Sequence, residues 1–72
     1  MEYIINLTWD GEAGVWIAES DDIPGLVLES GSYDALVERV RFAIPELIEL
    51  NKPVAVAPTI TFLSKRQERI AL

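Results

Sequence analysis

The chain has 72 residues and contains neither cysteine nor histidine, an absence that limits its possible folds more than any other feature of the sequence. No disulfide can form, and the common zinc ligands are missing. A domain of this size buries only about 60% of the surface that its unfolded chain exposes. Its stability must come from an apolar core and from association with further copies. Half of the residues are hydrophobic and can supply that core. We expect a single domain, residues 1–72, that forms a homo-oligomer, most simply a dimer.

The same absence excludes several kinds of chemistry. Histidine is the usual general base near neutral pH, and cysteine supplies thiolate nucleophiles and metal ligands. Serine triads, cysteine proteases, zinc hydrolases and thiol redox enzymes are therefore excluded. We expect a protein that is not an enzyme, with no catalytic residue, no cofactor and no metal.

Membrane and export signals are also missing from the sequence. No apolar run approaches the roughly 20 residues of a transmembrane helix. The start, Met1-Glu2-Tyr3, differs from the basic and then apolar segments of a signal peptide. We therefore expect a cytoplasmic protein that does not bind membranes.

Charge is distributed unevenly along the chain. Residues 1–38 contain nine acids and no Lys or Arg, whereas residues 39–72 contain six bases and three acids, so that −9 and +3 sum to the net charge of −6. An acidic surface attracts basic partners and repels the nucleic-acid backbone. We expect a basic protein partner and no direct binding of nucleic acid. The alternative is an acidic surface that serves only solubility.

Three strands are predicted in the first 30 residues. Large apolar residues alternate along residues 2–9 and define one buried face, formed by Tyr3, Ile5, Leu7 and Trp9. Gly11 and Gly14 permit a turn, so that residues 15–20 form the second strand of a hairpin. Bulky residues occupy both sides of this strand, so the sequence does not determine which side faces the core. Pro24-Gly25 interrupts the pattern, and a third strand follows at residues 26–29.

A helix is predicted over residues 33–50. Ser32 can accept a hydrogen bond from an amide of the first turn. One side of the helix carries apolar residues at helical spacing, namely Leu36, Val40, Ala43, Leu47 and Leu50, with Val37, Ile44 and Ile48 beside them. Pro45 predicts a bend in this helix. Residues 54–63 are rich in β-formers and predict a fourth strand, for which Pro58 favours an edge position or a bulge.

The fold class predicted from this order is α+β, with the elements β-β-β-α-β. We expect an antiparallel sheet with one helix packed on one face. No repeat, linker or low-complexity segment divides the chain.

The densest group of potential ligands is acidic. Glu19, Asp21 and Asp22 supply oxygens that hard cations prefer, but their spacing does not match a calcium-binding loop. A carboxylate pair could also act as acid and base if one member were buried, which would make the protein a weak hydrolase. Phe42 lies on the polar side of the predicted helix, where a second chain could cover it.

A family resemblance is carried by residues 14–26, which read GVWIAESDDIPGL. An aromatic strand leads here into an acidic D-x-P-G turn, and Ser32 and the amphipathic helix follow. The stretch resembles HicB-like antitoxin domains. The resemblance implies a β-β-β-α-β, partial ribonuclease-H-like fold and a HicA-like partner, a small basic toxin that cleaves RNA. Because only 22 residues follow the predicted helix, we expect no separate DNA-binding domain and a place in a stand-alone subgroup of uncharacterised proteins.

Two functional hypotheses follow, from different classes of protein. The leading one is a non-enzymatic, acidic, antitoxin-like domain that binds a HicA-like toxin. Its predicted contact residues surround the acidic turn and are Glu19, Asp21, Asp22, Pro24 and Gly25. The alternative is a stand-alone homo-oligomeric structural or small-ligand-binding module. The predicted contacts between its subunits are Phe42, Ile60, Phe62 and Ile70.

Overall fold

The computed structural model describes residues 2–51 and 57–71 and confirms the α+β class and the element order. Its elements are β1 (Glu2–Asp10), β2 (Val15–Glu19), β3 (Val27–Ser30), α1 (Tyr33–Asn51) and β4 (Thr59–Lys65). Within these residues no helix is long and apolar enough to cross a membrane.

The four strands form one sheet in the order β3-β2-β1-β4. β2 pairs antiparallel with both β1 and β3, whereas β4 pairs parallel with β1. The expectation of a wholly antiparallel sheet is therefore wrong at β4, and the sheet is mixed. The reason is the helix, because α1 returns the chain to the end at which β3 began and β4 then runs in the direction of β3 and β1.

The fourth strand starts later than its composition predicts. Residues 52–56, which include the first part of the predicted strand, lie outside the described residues, and β4 begins directly after Pro58. β4 is an edge strand, the position that Pro58 favours, although Pro58 itself lies just before the strand.

The core lies between the sheet and α1, which packs over β2 and β3. β1 contributes Ile5 and Leu7, both fully buried, as the alternation of this strand predicts. On β2 the inward face is that of Trp16 and Ala18, which settles the side that the sequence leaves open. The buried side chains of α1 are Leu36 and Val40 of the predicted stripe together with Ile44 and Ile48 beside it, whereas Ala43 and Leu47 are half-buried.

Hydrogen bonds cap the start of the helix and close the hairpin turn, where the sequence predicts them. The Ser32 hydroxyl accepts from the amide of Ala35 at 3.2 Å, which confirms its role as the N-cap. α1 continues through the exposed Pro45 as one helix. In the hairpin turn Gly14 has a φ of 68°, and its amide donates to the carbonyl of Asp10 at 2.8 Å.

Aromatic rings close the hairpin end of the core. Trp9 and Trp16 lie opposite each other in the β1–β2 register with ring centroids 5.5 Å apart. Trp16 also meets Tyr33 of α1 edge to face at 5.0 Å. The guanidinium of Arg66, just after β4, lies 4.5 Å from the ring centroid of Trp9. These contacts tie both neighbouring elements, α1 and the end of β4, to the hairpin.

Candidate functional site

The acidic D-x-P-G turn is built on the core. Ile23 and Leu26 are each only 2% exposed, and the Leu26 amide donates to the Ile23 carbonyl at 3.2 Å. Pro24 and Gly25 lie between them at the exposed tip, and Gly25 has a φ of 88°. Proline followed by a glycine of positive φ is the pattern of a type II turn. The two buried side chains therefore fix the position of an exposed tip.

Asp22 and Ser20 hold this turn against β1. The pairing of β1 with β2 starts at Asn6, so Ile4 lies beyond the end of β2. The Ile4 amide donates to Oδ2 of Asp22 at 2.8 Å, and the Ser20 hydroxyl donates to the Ile4 carbonyl at 2.6 Å. The Asp22 amide also donates to Oγ of Ser20 at 3.0 Å. Ile4 pairs with Thr61 of β4 on one side, and these two side chains take the place of a β2 partner on the other, so Asp22 has a structural role.

Glu19, Asp21 and Gly25, three of the predicted contact residues, line one cleft of about 320 Å³. The other lining residues come from β1, from the end of β2 and from the start of β3, and they are Asn6, Ser20, Leu26 and Val27. Asp22 and Pro24 lie outside this lining. The cleft thus divides the predicted residues into two groups, those that face it and those that shape the turn.

The carboxylates of the cleft are exposed and have no partner of opposite charge. Neither Glu19 nor Asp21 forms an ion pair anywhere in residues 2–51 and 57–71. Val27, on the same side of the sheet as Glu19, is 68% exposed. The cleft therefore combines two free carboxylates with one free apolar side chain.

The chemistry open to this cleft is recognition of cations. Among the described residues no three acids are grouped closely enough to hold a metal ion. Exposed carboxylates accept charge-assisted hydrogen bonds from Lys and Arg. The cleft can therefore accept the basic side chains of a partner.

The sheet face opposite α1 continues the cleft across all four strands. The register places Val27, Glu19, Asn6 and Leu63 in one row on this face. Sequence analysis did not identify Asn6, Val27 or Leu63. Alternation along each strand assigns them to the outer face, but the strand order that brings them together cannot be derived from any one strand.

The residues predicted to contact a second subunit fall in three places. Phe42 is 73% exposed on the flank of α1 near β3, in a shallow depression with Leu28 and Arg39. Ile60 and Phe62 are half-buried and lie together on the other side of the molecule. Ile70 is 69% exposed in the segment after β4. Only Ile60 and Phe62 share one surface.

Comparison with protein families places residues 2–72 in DUF1902, a domain of unknown function. The chain belongs to this family, which confirms the expectation of an uncharacterised family; the description of the family does not mention HicB-like antitoxins. A similar solved structure is the crystal structure of hypothetical protein TTHA1013 from the extremely thermophilic bacterium Thermus thermophilus. It is 35% identical over 100% of both chains, with a TM-score of 0.73. No curated protein matches the chain.

Proposed function

We propose that the chain is a non-enzymatic, antitoxin-like interaction domain that binds a small basic protein at the acidic cleft. The observation that carries this proposal is the meeting of two ion-pair-free carboxylates, Glu19 and Asp21, with exposed Val27 at one cleft. A surface that serves only solubility requires acidic charge but not its convergence beside an apolar side chain. A basic protein surface requires both, since charge steers the encounter and apolar contact excludes water.

The partner that we propose is a HicA-like toxin, a small basic protein that cleaves RNA. Support comes from residues 14–26, which resemble HicB-like antitoxins, and from the element order, which is the order that this resemblance implies. Nine acids and no base in residues 1–38 favour a basic protein over RNA, whose phosphates they would repel. The domain would act by occupying the basic surface that the toxin offers to its substrate.

The predicted contact residues then have two separate tasks. Glu19 and Asp21 accept hydrogen bonds from Lys or Arg side chains of the partner. Asp22 and Pro24 give the turn its shape, Asp22 through its bond to the Ile4 amide, and Gly25 both shapes the turn and lines the cleft. A cleft whose shape is fixed before binding loses less conformational entropy on binding, and this favours affinity.

The test measures association of the full chain with a small basic, HicA-like protein by stopped-flow mixing at several salt concentrations. Converting both acids of the cleft, Glu19→Gln with Asp21→Asn, should lower the association rate about tenfold at low salt and flatten its salt dependence. Glu12→Gln is the control for Glu19→Gln alone, because each change removes one charge and Glu12 is exposed in the β1–β2 turn outside the cleft. This control should change the rate by less than about twofold.

Three results would contradict the proposal. They are the absence of a salt-sensitive complex, an equal loss of rate in Glu12→Gln, and binding of RNA by the chain alone with the same dependence on Glu19 and Asp21. Equal loss in the control would show that overall charge, and not the cleft, attracts the partner.

A further inference from the structure

Among the described residues no strand pairs with the outer edge of β4, and three of the four residues in its middle, residues 60–63, are apolar. Natural edge strands are protected by short length, by charges or proline within the strand, or by a covering element. β4 has seven residues, TITFLSK, and its one charge is at the last position, Lys65. Pro58 precedes the strand and so protects only its start. The middle of β4 is therefore a template on which another strand can pair.

Both faces of this strand carry apolar side chains that the described residues cover only in part. Ile60 and Phe62 line a groove of about 310 Å³ with Pro58 and with three residues of α1, namely Arg41, Ile44 and Pro45. On the opposite face Leu63 is 51% exposed. An unpaired edge with free apolar surface on both faces is suited to another strand and not to a small ligand.

The chain as a whole exposes enough surface to accommodate a second copy. A compact monomer of 8.0 kDa is expected to expose about 4,450 Å². This chain exposes 5361 Å², an excess of about 900 Å². A stable dimer of standard size buries about 800 Å² on each partner. The radius of gyration, 13.7 Å against about 11 Å for a compact chain of this length, shows the same extension.

We infer that two copies of this chain associate through their β4 edges, which pair antiparallel and join the two sheets into one of eight strands. Pro58 and Lys65 bound the strand, so a pairing that uses all of it has Phe62 at its centre. The two Phe62 residues then face each other across the twofold axis, and Thr61 of each copy lies opposite Leu63 of the other. The two apolar grooves adjoin at this axis and cover each other.

The other edge of the sheet is not equivalent. β3 has only four residues, and its Glu29 carbonyl already accepts a hydrogen bond from the Arg39 guanidinium at 2.8 Å. Phe42 lies on that side of α1, beside Leu28, so its exposure is independent of the β4 interface. Val27 of β3 provides a matched control for Leu63 of β4, because both are exposed apolar residues on the same sheet face.

The first test is sedimentation equilibrium of the full chain from low micromolar to millimolar concentration. The wild type should sediment at twice its 8.0 kDa mass. Leu63→Lys brings like charges together near the axis and should raise the dissociation constant at least about tenfold. Val27→Lys should leave this constant unchanged within about twofold. Circular dichroism establishes that both variants keep the fold.

The second test fixes the register and uses the absence of native cysteine. A mixture of Thr61→Cys chains and Leu63→Cys chains should form disulfide-linked dimers faster than either variant alone, because only the mixture places the two thiols directly opposite. A wild type that stays monomeric at millimolar concentration overturns the inference. So does dissociation by Val27→Lys as strong as by Leu63→Lys, or a mixture that links no faster than its components.

Discussion

The two edges of the sheet, β3 and β4, differ in strand length, in charge and in exposed apolar surface. At the β3 edge the strand is short, the preceding turn is anchored by two buried side chains, and free carboxylates face outward. At the β4 edge the strand is long, its charge is confined to one end, and apolar side chains line an open groove. The surfaces proposed for a basic partner and for a second copy thus lie at opposite edges of one small sheet.

Among the variants considered, a substitution at Ile23, which anchors the turn before β3, should lower the free energy of unfolding most. Ile23→Ala removes a side chain that is 2% exposed and should lower the free energy of unfolding by about 2–5 kcal/mol. Urea unfolding at low protein concentration, where association does not contribute, measures this change. Val27→Ala, four residues later and exposed, should change it by less than about 0.5 kcal/mol. Equal losses would show that the turn is not held through the core.

Asp21 and Asp22, the two adjacent acids of the turn, should contribute differently to the free energy of unfolding in the same experiment. Asp22→Ala removes the acceptor of the Ile4 amide, and the loss should be about 1–2 kcal/mol because water can partly replace it at this exposed position. Asp21→Ala removes an exposed carboxylate that bonds to no other described residue and should cost less than about 0.5 kcal/mol. In the proposed binding of a basic partner, Asp21→Ala should instead have the larger effect, since Asp21 lines the cleft and Asp22 does not. A larger loss of stability in Asp21→Ala would contradict this division of tasks.

Sequence periodicity predicts the elements of this fold because each follows from local chemistry. Alternation in β1 identifies its buried face, Ser32 marks the start of α1, and Pro58 marks an edge strand. The direction of β4 does not follow, because a parallel and an antiparallel edge strand share the same pattern of side chains. It depends on the path of the chain through α1.

The site is harder to predict than the fold for a related reason. A cluster of acids is visible in the sequence at residues 19–22, but the role of each acid depends on distant backbone. Asp22 bonds to Ile4, 18 residues earlier, whereas Glu19 and Asp21 face a cleft to which β1 contributes Asn6. Adjacent residues of the same type thus have different tasks, which only the register of β1 and β2 reveals.

Gly25, at the tip of the turn, and Gly31, between β3 and α1, should respond differently to substitution by alanine. Gly25 has a φ of 88°, where a side chain is strained, so Gly25→Ala should cost about 1–2 kcal/mol in urea unfolding. Gly31, between β3 and α1, has no positive φ, and a methyl group there would meet its nearest atom at 3.7 Å. Gly31→Ala should therefore be neutral or stabilise by up to about 1 kcal/mol. Similar losses in both variants would mean that loop flexibility, and not the turn geometry, is what glycine provides.

The smallest effect is expected where the β4 side meets the hairpin. Arg66 stacks on Trp9 and bonds to Glu68 at 2.7 Å, but its side chain is 47% exposed, so Arg66→Gln should cost only about 0.5–1 kcal/mol. Arg69→Gln removes the same charge from an exposed position and should have no measurable effect on stability. Tryptophan fluorescence should shift in Arg66→Gln alone, because only this cation lies over an indole ring. If Arg66→Gln instead costs as much as Ile23→Ala, the β4 side is anchored as firmly as the β3 side, and the contrast between the two edges fails.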